Sequence, residues 1–370
     1  MKLTPNLLTH DDGSPVSREH WPRRRDELYQ AIIPHEFGGM PPAPERVDLL
    51  LRSRGTVRAW KSVQYHTYEV RVRFPEGKEL SLTLSLWLPP GEGPFPVVVD
   101  GDGCWRYFSD EVVRSVLERD CIAARFDRTA AAADNPDDFR RTGLYRLFPD
   151  ADFGVCSAWA WAYHRCVDAL LQIPHIRPDG IAITGHSRGG KTALLAGATD
   201  ERIAITNPNN SGIGGAGLNR LKMQGSETID SFFGSRNIFW FGKGFADHRH
   251  RDADLPYDNH FLHALVSPRG LLLTEAYEDV GANPAGTYVA AHAAREVYAM
   301  LGQPDAIGWS YRESGHAHRP EDYNALLDFI DSRLGRECAP RNFQRLLYPD
   351  LHSLLAPPRS EGDEAGPQLQ

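Results

Sequence analysis

The sequence predicts an α/β protein with a mostly parallel central sheet, helices on both faces and an antiparallel hairpin near the N-terminus. Two alternating stretches of polar and apolar residues, 66–74 and 79–89, flank the turn-forming Pro-Glu-Gly-Lys, which is typical of a hairpin with one buried face. The segment 94–102 contains a continuous apolar run, as expected for a strand that is covered on both faces. Further along the chain, strand-like runs alternate with helical patterns, which indicates βαβ units.

The remaining elements follow in order. Residues 17–36 place apolar side chains at helical intervals and lead into a loop rich in Gly and Pro, so they predict an N-terminal helix. Beyond the hairpin, strands and helices are expected in alternation. The predicted strands are 94–102, 121–127, 180–187, 203–209, 269–276 and 307–314, and the predicted helices include 110–120, 155–174 and 320–335.

Two segments depart from this alternation. Residues 219–259 are too long for an ordinary connection and are rich in aromatic, basic and His side chains, so we interpret them as an insertion that lines a pocket. Residues 356–370 are rich in Pro, Gly and Glu, a composition typical of a disordered tail. We therefore predict a single domain over residues 1–355.

Composition argues against several classes of protein. A mean hydropathy of −0.44, without a run of 18 apolar residues, argues against a membrane protein, and the net charge of −8 argues against a nucleic-acid-binding surface. The five cysteines are odd in number and lack a Cys-x-x-Cys pair, which favours reduced thiols over a disulfide framework. Since the N-terminal residues also lack the apolar core of a secretory signal, we expect a cytoplasmic protein. The sequence does not predict the oligomeric state.

The stretch Gly-His-Ser-Arg-Gly, residues 185–189, joins the end of a predicted strand to the start of a predicted helix. In that context a G-x-S-x-G sequence forms a nucleophile elbow, a turn so sharp that side chains at the two glycines would collide with the neighbouring backbone. The turn places Ser187 at a helix N-terminus, where N–H groups favour a developing oxyanion. Ser187 is therefore the candidate nucleophile.

The chain beyond the elbow supplies an acid and a base in the order used by α/β-hydrolase folds. Glu278 and Asp279 follow a strongly apolar predicted strand, and we favour Asp279 as the acid with Glu278 as the alternative. His316 lies in a Gly-containing loop after the last predicted strand and is the candidate base, with His318 as second choice. The order Ser187, Asp279, His316 predicts a serine carboxylic-ester hydrolase with an α/β-hydrolase fold that acts through an acyl-enzyme.

The other histidines are not expected to take part in the chemistry. His186 lies within the elbow and is predicted to be a packed residue rather than a second base. A group of four histidines in and just after the insertion contains no His-Glu-x-x-His or other ligand spacing, so we expect no metal, and we predict no cofactor. The four are His248, His250, His260 and His263.

Three longer segments resemble the glucuronoyl esterases of carbohydrate esterase family 15 and their bacterial relatives. These segments are 185–220, 255–279 and 313–331, within a similarity that runs from about Trp21 to Leu334. The most specific feature is Ser-Arg-Gly-Gly-Lys after Gly-His, because other α/β-hydrolases rarely place Arg and then Lys after the nucleophile. Enzymes of that family cleave the ester between 4-O-methyl-glucuronic acid on xylan and lignin alcohols, without a metal.

The resemblance implies roles for individual residues. Ser187 would be the nucleophile and His316 the base, while Arg188 would stabilise the oxyanion through its backbone N–H and its guanidinium. Further residues are implied to contact the sugar, and the implied partner is a small-molecule or oligosaccharide ester. The residues implied at the sugar site are Lys191, Glu227 and Trp240.

Two positions depart from the family pattern. Fungal members carry the acid just before the Ser-Gly-x-Gly-Gly turn, and here that position is Asn210, so the acid is expected from the later loop, as in many bacterial relatives. The family places a tryptophan at or next to Val280, and the loss of that ring leaves an acetyl or other small ester as an alternative substrate. Asn210 also leaves open a non-catalytic carbohydrate-binding protein on a degenerate hydrolase scaffold. Cys104 and Trp105 either lend a second oxyanion donor or close the pocket.

Overall fold

A computed structural model describes residues 3, 5–60, 62–105 and 107–348. The central element is a nine-stranded sheet with the order β1-β2-β3-β5-β4-β6-β7-β8-β9. The strands are β1 Arg46–Thr56, β2 Gln64–Arg73, β3 Glu79–Leu88, β4 Phe95–Asp100, β5 Ile122–Phe126, β6 Ile176–His186, β7 Ile205–Asn209, β8 Gly270–Ala276 and β9 Ile307–Arg312. Strands β1 to β3 pair antiparallel, β3 pairs antiparallel with β5, and all pairs from β5 to β9 are parallel. This topology confirms the predicted mostly parallel sheet with an antiparallel N-terminal part.

Helices cover both faces of this sheet. They are α1 Trp21–Phe37, α2 Asp110–Glu118, α3 Gly143–Leu147, α4 Val155–Leu170, α5 Arg188–Thr199, α6 Ile229–Gly234, α7 Lys243–Ala246, α8 His260–Val266, α9 Pro284–Met300 and α10 Pro320–Arg333. Helices α2 and α10 share one core with Val98, whereas α4, α5, α8 and α9 share the other with Val97 and Val99. Neighbouring residues of one strand are therefore buried on opposite faces, which explains why the run is continuously apolar.

The predicted N-terminal helix begins slightly later than residue 17. Residues 18–20 form a turn, and α1 starts at Trp21 with Pro22 in its first turn, where a missing N–H costs nothing. The helix ends at Gly38, whose φ of 71° lies in the left-handed region and whose close approach to the carbonyl oxygen of Asp152 leaves no room for a Cβ.

The antiparallel part contains one strand more than the predicted hairpin. Strands β2 and β3 correspond to the two alternating stretches, and β1 lies at the edge of the sheet beside β2. Every residue of β1 is exposed or half-buried. One face of β1 contacts the core only at Val47 and Leu49, which are partly buried, and every residue beyond Leu50 is exposed. This alternation is too short to predict a strand from the sequence.

The segment 219–259 lies between β7 and α8 and contains the short helices α6 and α7 but, among the residues described, no strand. All five cysteines are free thiols, and the cytoplasmic location stays a prediction. In the part of the chain that the structure describes, no helix combines the length and apolarity needed to span a bilayer. The predicted tail 356–370 lies outside the described residues.

Candidate active site

Four parallel strands deliver the candidate residues to one edge of the sheet. Ser187 follows β6, Asn210 follows β7, Asp279 follows β8 and His316 lies beyond β9. The carboxyl ends of parallel strands meet at the same edge, which is where α/β proteins form their sites. All four residues line one cavity of about 220 Å³. The other described residues of its wall are Lys191, Ser211, Glu227, Gly281 and Ala282.

The turn between β6 and α5 has the geometry of a nucleophile elbow. Ser187 has φ 56° and ψ −121°, a conformation that is strained for a residue other than glycine. Its N–H donates to the carbonyl oxygen of Asn209 at 2.9 Å, which ties the turn to β7. A Cβ at Gly185 would collide with the carbonyl of Gly189, and one at Gly189 would collide with the carboxylate of Asp102. Only glycine fits at both positions, which is the steric reason for the motif.

The candidate acid and base, Asp279 and His316, are in contact. Nδ1 of His316 lies 2.6 Å from Oδ2 of Asp279, and the side-chain amide of Asn210 donates to the same oxygen at 2.6 Å. Burial alone would raise the pKa of Asp279, but the hydrogen bonds from His316 and Asn210 and the charge of His316 outweigh it and lower that pKa below its ordinary value. Asp279 is therefore ionised at neutral pH and favours the His316 tautomer with the proton on Nδ1, which leaves Nε2 as the basic atom.

The two alternatives lie elsewhere. Glu278 has an exposed side chain, and the carboxylate that contacts His316 belongs to Asp279, so the structure does not bring Glu278 to the site. His318 is buried, stacks on Tyr323 with ring centroids 3.9 Å apart, and is not among the described residues of the cavity wall. Burial, together with the charges of nearby residues, holds the pKa of His318 well below its ordinary value. His318 is therefore a neutral packing residue.

His186 packs against the base instead of acting as one. Its ring centroid lies 4.5 Å from that of His316, and its Nδ1 lies 2.6 Å from Oδ1 of Asn209. Burial, assisted by the charge of His316, lowers the pKa of His186 to about 3. A neutral His186 thus buttresses the His316 ring.

Three of the four histidines that are not expected to bind a metal contact backbone carbonyl oxygens. Nδ1 of His248 lies 2.9 Å from the carbonyl oxygen of Gly244. Nε2 of His260 lies 2.9 Å from the carbonyl oxygen of Pro5, and Nε2 of His263 lies 3.0 Å from that of Ala216. Within the described ranges, no three His, Cys, Asp or Glu side chains are grouped as metal ligands would be.

Arg188 and Trp240 form a unit beside the cavity. Nη1 of Arg188 donates to Oδ2 of Asp134 at 2.9 Å, and Nε1 of Trp240 donates to Oδ1 of the same carboxylate at 3.0 Å. The guanidinium lies 4.5 Å from the centroid of the Trp240 ring. Trp240 is 3% exposed, and neither it nor Arg188 is among the described wall residues. The Trp240 ring supports Arg188, and its implied contact with the uronate stays a prediction. Arg188 also begins α5, where the N–H groups of the first turn have no acceptor within the helix and can serve an oxyanion.

Lys191 and Glu227 form a charged pair in the cavity wall. Lys191 lies one turn into α5 and is buried, and its ammonium donates to the carbonyl oxygens of Ser211 and Ile213, both at 2.7 Å. Its third donor faces Oε2 of Glu227 at 3.1 Å. The side chain of Glu227 is 38% exposed, so its carboxylate can accept hydrogen bonds from a ligand hydroxyl.

The backbone N–H of Trp105 is not free to serve as a second oxyanion donor. Its N–H donates to the carbonyl oxygen of Asp102 at 2.7 Å and is therefore already used. The Trp105 ring packs against His186 and Arg188, and the thiol of Cys104 accepts a hydrogen bond from Arg128. The loop after β4 thus supports the elbow.

Three charged residues near the elbow, Asp102, Arg128 and Asp134, were not predicted from the sequence. Asp102 lies two residues beyond the end of β4, and its place at the carboxyl end of a buried parallel strand is the one signal that could have predicted it. Arg128 and Asp134 lie in the irregular segment after β5, where no motif marks them.

Comparison with known proteins gives consistent matches. The family model described as "Glucuronyl esterase, fungi" matches residues 70–302. A 4-O-methyl-glucuronoyl methylesterase from Schizophyllum commune is 33% identical over 331 residues, which cover 85% of this chain and 77% of that protein. A carbohydrate esterase family 15 glucuronoyl esterase from Caldicellulosiruptor kristjansonii has a similar structure, with a TM-score of 0.82, 30% identity and 94% of both chains covered.

A third similar structure contains a bound ligand. A serine-to-alanine variant of the glucuronoyl esterase from Sporotrichum thermophile, solved in complex with methyl 4-O-methyl-β-D-glucopyranuronate, has a TM-score of 0.73 and 26% identity, with 91% of this chain and 88% of that chain covered. These matches confirm the α/β-hydrolase fold and the resemblance that the motif predicted. Because the family model spans more than half of the chain, this chain belongs to the glucuronoyl esterases of carbohydrate esterase family 15, a family of serine carboxylic-ester hydrolases.

Proposed function

We propose that this chain hydrolyses an ester of a glucuronic acid through an acyl-enzyme on Ser187. The observation that carries the proposal is that a single cavity contains Ser187, the Asp279–His316 pair and the Lys191–Glu227 pair. The first three residues have the chemistry to break an ester. Lys191 donates to Glu227 and so helps to fix its carboxylate, which is partly exposed and can accept hydrogen bonds from sugar hydroxyls. The names of the relatives and the methyl glucuronate bound to the Sporotrichum enzyme support a uronate as the acyl group.

The first half of the reaction forms the acyl-enzyme. Oγ of Ser187 attacks the ester carbonyl carbon while Nε2 of His316 takes the hydroxyl proton, and the carbonyl oxygen becomes an oxyanion. The C–O bond to the alcohol then breaks, and His316 returns the proton to the leaving oxygen. The uronyl group remains on Ser187 as an ester.

The second half repeats these steps with water. His316 takes a proton from the water as its oxygen attacks the acyl carbon, and it then gives the proton to Oγ of Ser187 as the uronic acid leaves. Asp279 stays ionised throughout and stabilises the imidazolium that forms twice. The N-terminal N–H groups of α5 and the positive charge of Arg188 stabilise the oxyanion, which exists only near the transition state.

A second candidate substrate is an acetyl or other small carboxylic ester. Val280 favours it, because valine offers a smaller surface to a sugar ring than the tryptophan found at or next to this position in the family. The Ser187 chemistry is the same for both candidates.

The test compares benzyl glucuronate with p-nitrophenyl acetate, using the wild type, Ser187→Ala and the control Ser115→Ala on α2. We expect a higher kcat/KM on the glucuronate, a loss on the order of 10⁶-fold in kcat for Ser187→Ala, and wild-type activity for Ser115→Ala. Turnover of the acetate alone would discard the uronate and retain the nucleophile. No turnover, together with no labelling of Ser187 by a fluorophosphonate, would favour a carbohydrate-binding protein.

A further inference from the structure

Arg188 is the last member of a chain of four alternating charges. Asp102 contacts Arg128, Nη2 of Arg128 faces the carboxylate of Asp134 at 3.8 Å, and Asp134 accepts from Arg188 at 2.9 Å. The side chains of Asp102 and Arg128 are 0% exposed, that of Asp134 is 16% exposed and that of Arg188 is 31% exposed. This row of four charged side chains therefore runs from the interior toward solvent, and Arg188 is its most exposed member.

The two end members of this row of charges are both linked to the nucleophile elbow. Oδ2 of Asp102 accepts the backbone N–H of His186 at 2.7 Å, and Arg188 follows Ser187 directly. The same set of charges thus fixes the residue before Ser187 and the residue after it.

Two tryptophan rings restrict the guanidinium further. It lies 4.5 Å from the centroid of Trp240 and 5.5 Å from that of Trp105, and Trp105 also covers the guanidinium of Arg128 at 4.6 Å. Both oxygens of Asp134 are engaged, one by Arg188 and one by the Trp240 indole. A long side chain that would otherwise sample many rotamers is therefore held in one orientation.

We propose that Asp134 is a positioning residue for ester hydrolysis, which holds the Arg188 guanidinium beside the elbow before the oxyanion forms. A charge that is fixed in advance stabilises the oxyanion without reorganisation during the reaction. Without Asp134, the Arg188 side chain extends toward solvent, and its guanidinium must return to the same orientation in each catalytic cycle. This inference rests on the hydrolysis proposed above, and it adds a residue that acts only through Arg188.

The test is a double-mutant cycle with Asp134→Asn, Arg188→Gln and the two combined, measured as kcat and KM on the ester that the wild type turns over. Asparagine keeps the shape of Asp134 but not its charge. We expect Asp134→Asn to lower kcat about tenfold with KM within about twofold, and Arg188→Gln to lower kcat about 100-fold. Adding Asp134→Asn to Arg188→Gln should change kcat by less than about twofold.

A residue that only supports the fold would behave differently. Asp134→Asn would then lower kcat by the same factor with and without Arg188, and that outcome would overturn the proposal. The matched control is Asp137→Asn in the same segment, whose ion pair with Arg236 is exposed and which should retain wild-type kcat. If Asp134→Asn does not fold, Trp240→Phe removes the second donor to Asp134, and its expected loss of about threefold should also vanish in the Arg188→Gln background.

The rate at which a fluorophosphonate labels Ser187 separates this proposal from the choice of substrate, because labelling needs no uronate. The reagent develops negative charge on an oxygen at the oxyanion position, so Asp134→Asn should be labelled about tenfold more slowly. If the wild type leaves the glucuronate intact and Asp134→Asn is labelled more slowly than the wild type, the uronate is excluded as the substrate and the positioning role is retained. Equal labelling rates for the wild type and Asp134→Asn would overturn the positioning role, and no labelling of the wild type would overturn both proposals.

Discussion

The two sides of Ser187 are built in different ways. On the proton-transfer side, His316 is 46% exposed and is held by Asp279, which also accepts from Asn210, each contact measuring 2.6 Å. On the other side, which we call the charged side, Arg188 is the last of a row of four charged side chains, and the inner pair of that row, Asp102 and Arg128, is completely buried. The difference follows from the chemistry, because a base must gain and lose a proton whereas an electrostatic stabiliser must keep its charge and position. Burial with paired opposite charges provides the latter.

The largest effect is expected on the proton-transfer side. Asp279→Asn removes the charge that stabilises the imidazolium and favours the wrong His316 tautomer, so kcat should fall about 10⁴-fold. Its matched control is Glu278→Gln, one residue away and exposed, which should retain nearly full activity in the same ester assay. A comparable loss for Glu278→Gln would mean that the acid has been assigned to the wrong residue.

Arg128→Met tests the buried part of the charged side. Burial raises the pKa of Asp102 while the charge of Arg128 opposes that rise, so the substitution leaves an uncompensated carboxylate in the interior. The free energy of unfolding in urea should fall by about 3–5 kcal/mol. Arg236→Met, which breaks an exposed ion pair, should leave the stability almost unchanged. If the two variants proved equally stable, the buried chain would have no special role in the fold.

Asn210→Ala should have the smallest effect, and that effect should depend on pH. Loss of the hydrogen bond to Asp279 should lower the free energy of unfolding at pH 7 by about 1 kcal/mol. The pKa of Asp279 is lowered from 3.8, so its interactions stabilise the fold above that pH and lose this contribution as the pH falls through the folded-state pKa. Asn210→Ala moves that pKa back up, so the difference from the wild type should shrink below pH 4. Asn342→Ala, on an exposed turn, is the control, and a difference independent of pH would contradict the assignment.

The parallel half of the sheet could be predicted because its patterns are local. Strands such as β4 are buried on both faces and therefore form continuous apolar runs. Strand β1 contacts the core only through the partly buried Val47 and Leu49, so its pattern is too short to predict a strand. The elbow could be predicted for a similar reason, since Gly185 is required by a contact with Gly189 inside the same turn. The contact that requires Gly189 is with Asp102 on a loop distant in sequence, and no local pattern predicts it.

The support of Arg188 could not be predicted in this way. Asp102 and Arg128 are 26 residues apart in sequence and meet because they follow β4 and β5, which are neighbours in the sheet. Trp240 lies 106 residues beyond Asp134, on the segment between β7 and α8. No spacing in the sequence marks such contacts, because they depend on how the loops of separate strands pack.

The sequence by itself determined the alternation of strands and helices and the strand–turn–helix context of Gly-His-Ser-Arg-Gly, since both depend on residues close together in the chain. The order of the candidate nucleophile, acid and base could also be predicted, because each of them follows a strand whose own pattern is local. Only the tertiary structure shows which of the neighbouring candidates meet. Asp279 and not Glu278 contacts His316, and among the described wall residues the cavity has His316 and not His318. Sequence patterns do not distinguish two residues of similar chemistry that lie close together on one loop. Which of their side chains points into the cavity is set only by the packing of the loop against the rest of the fold.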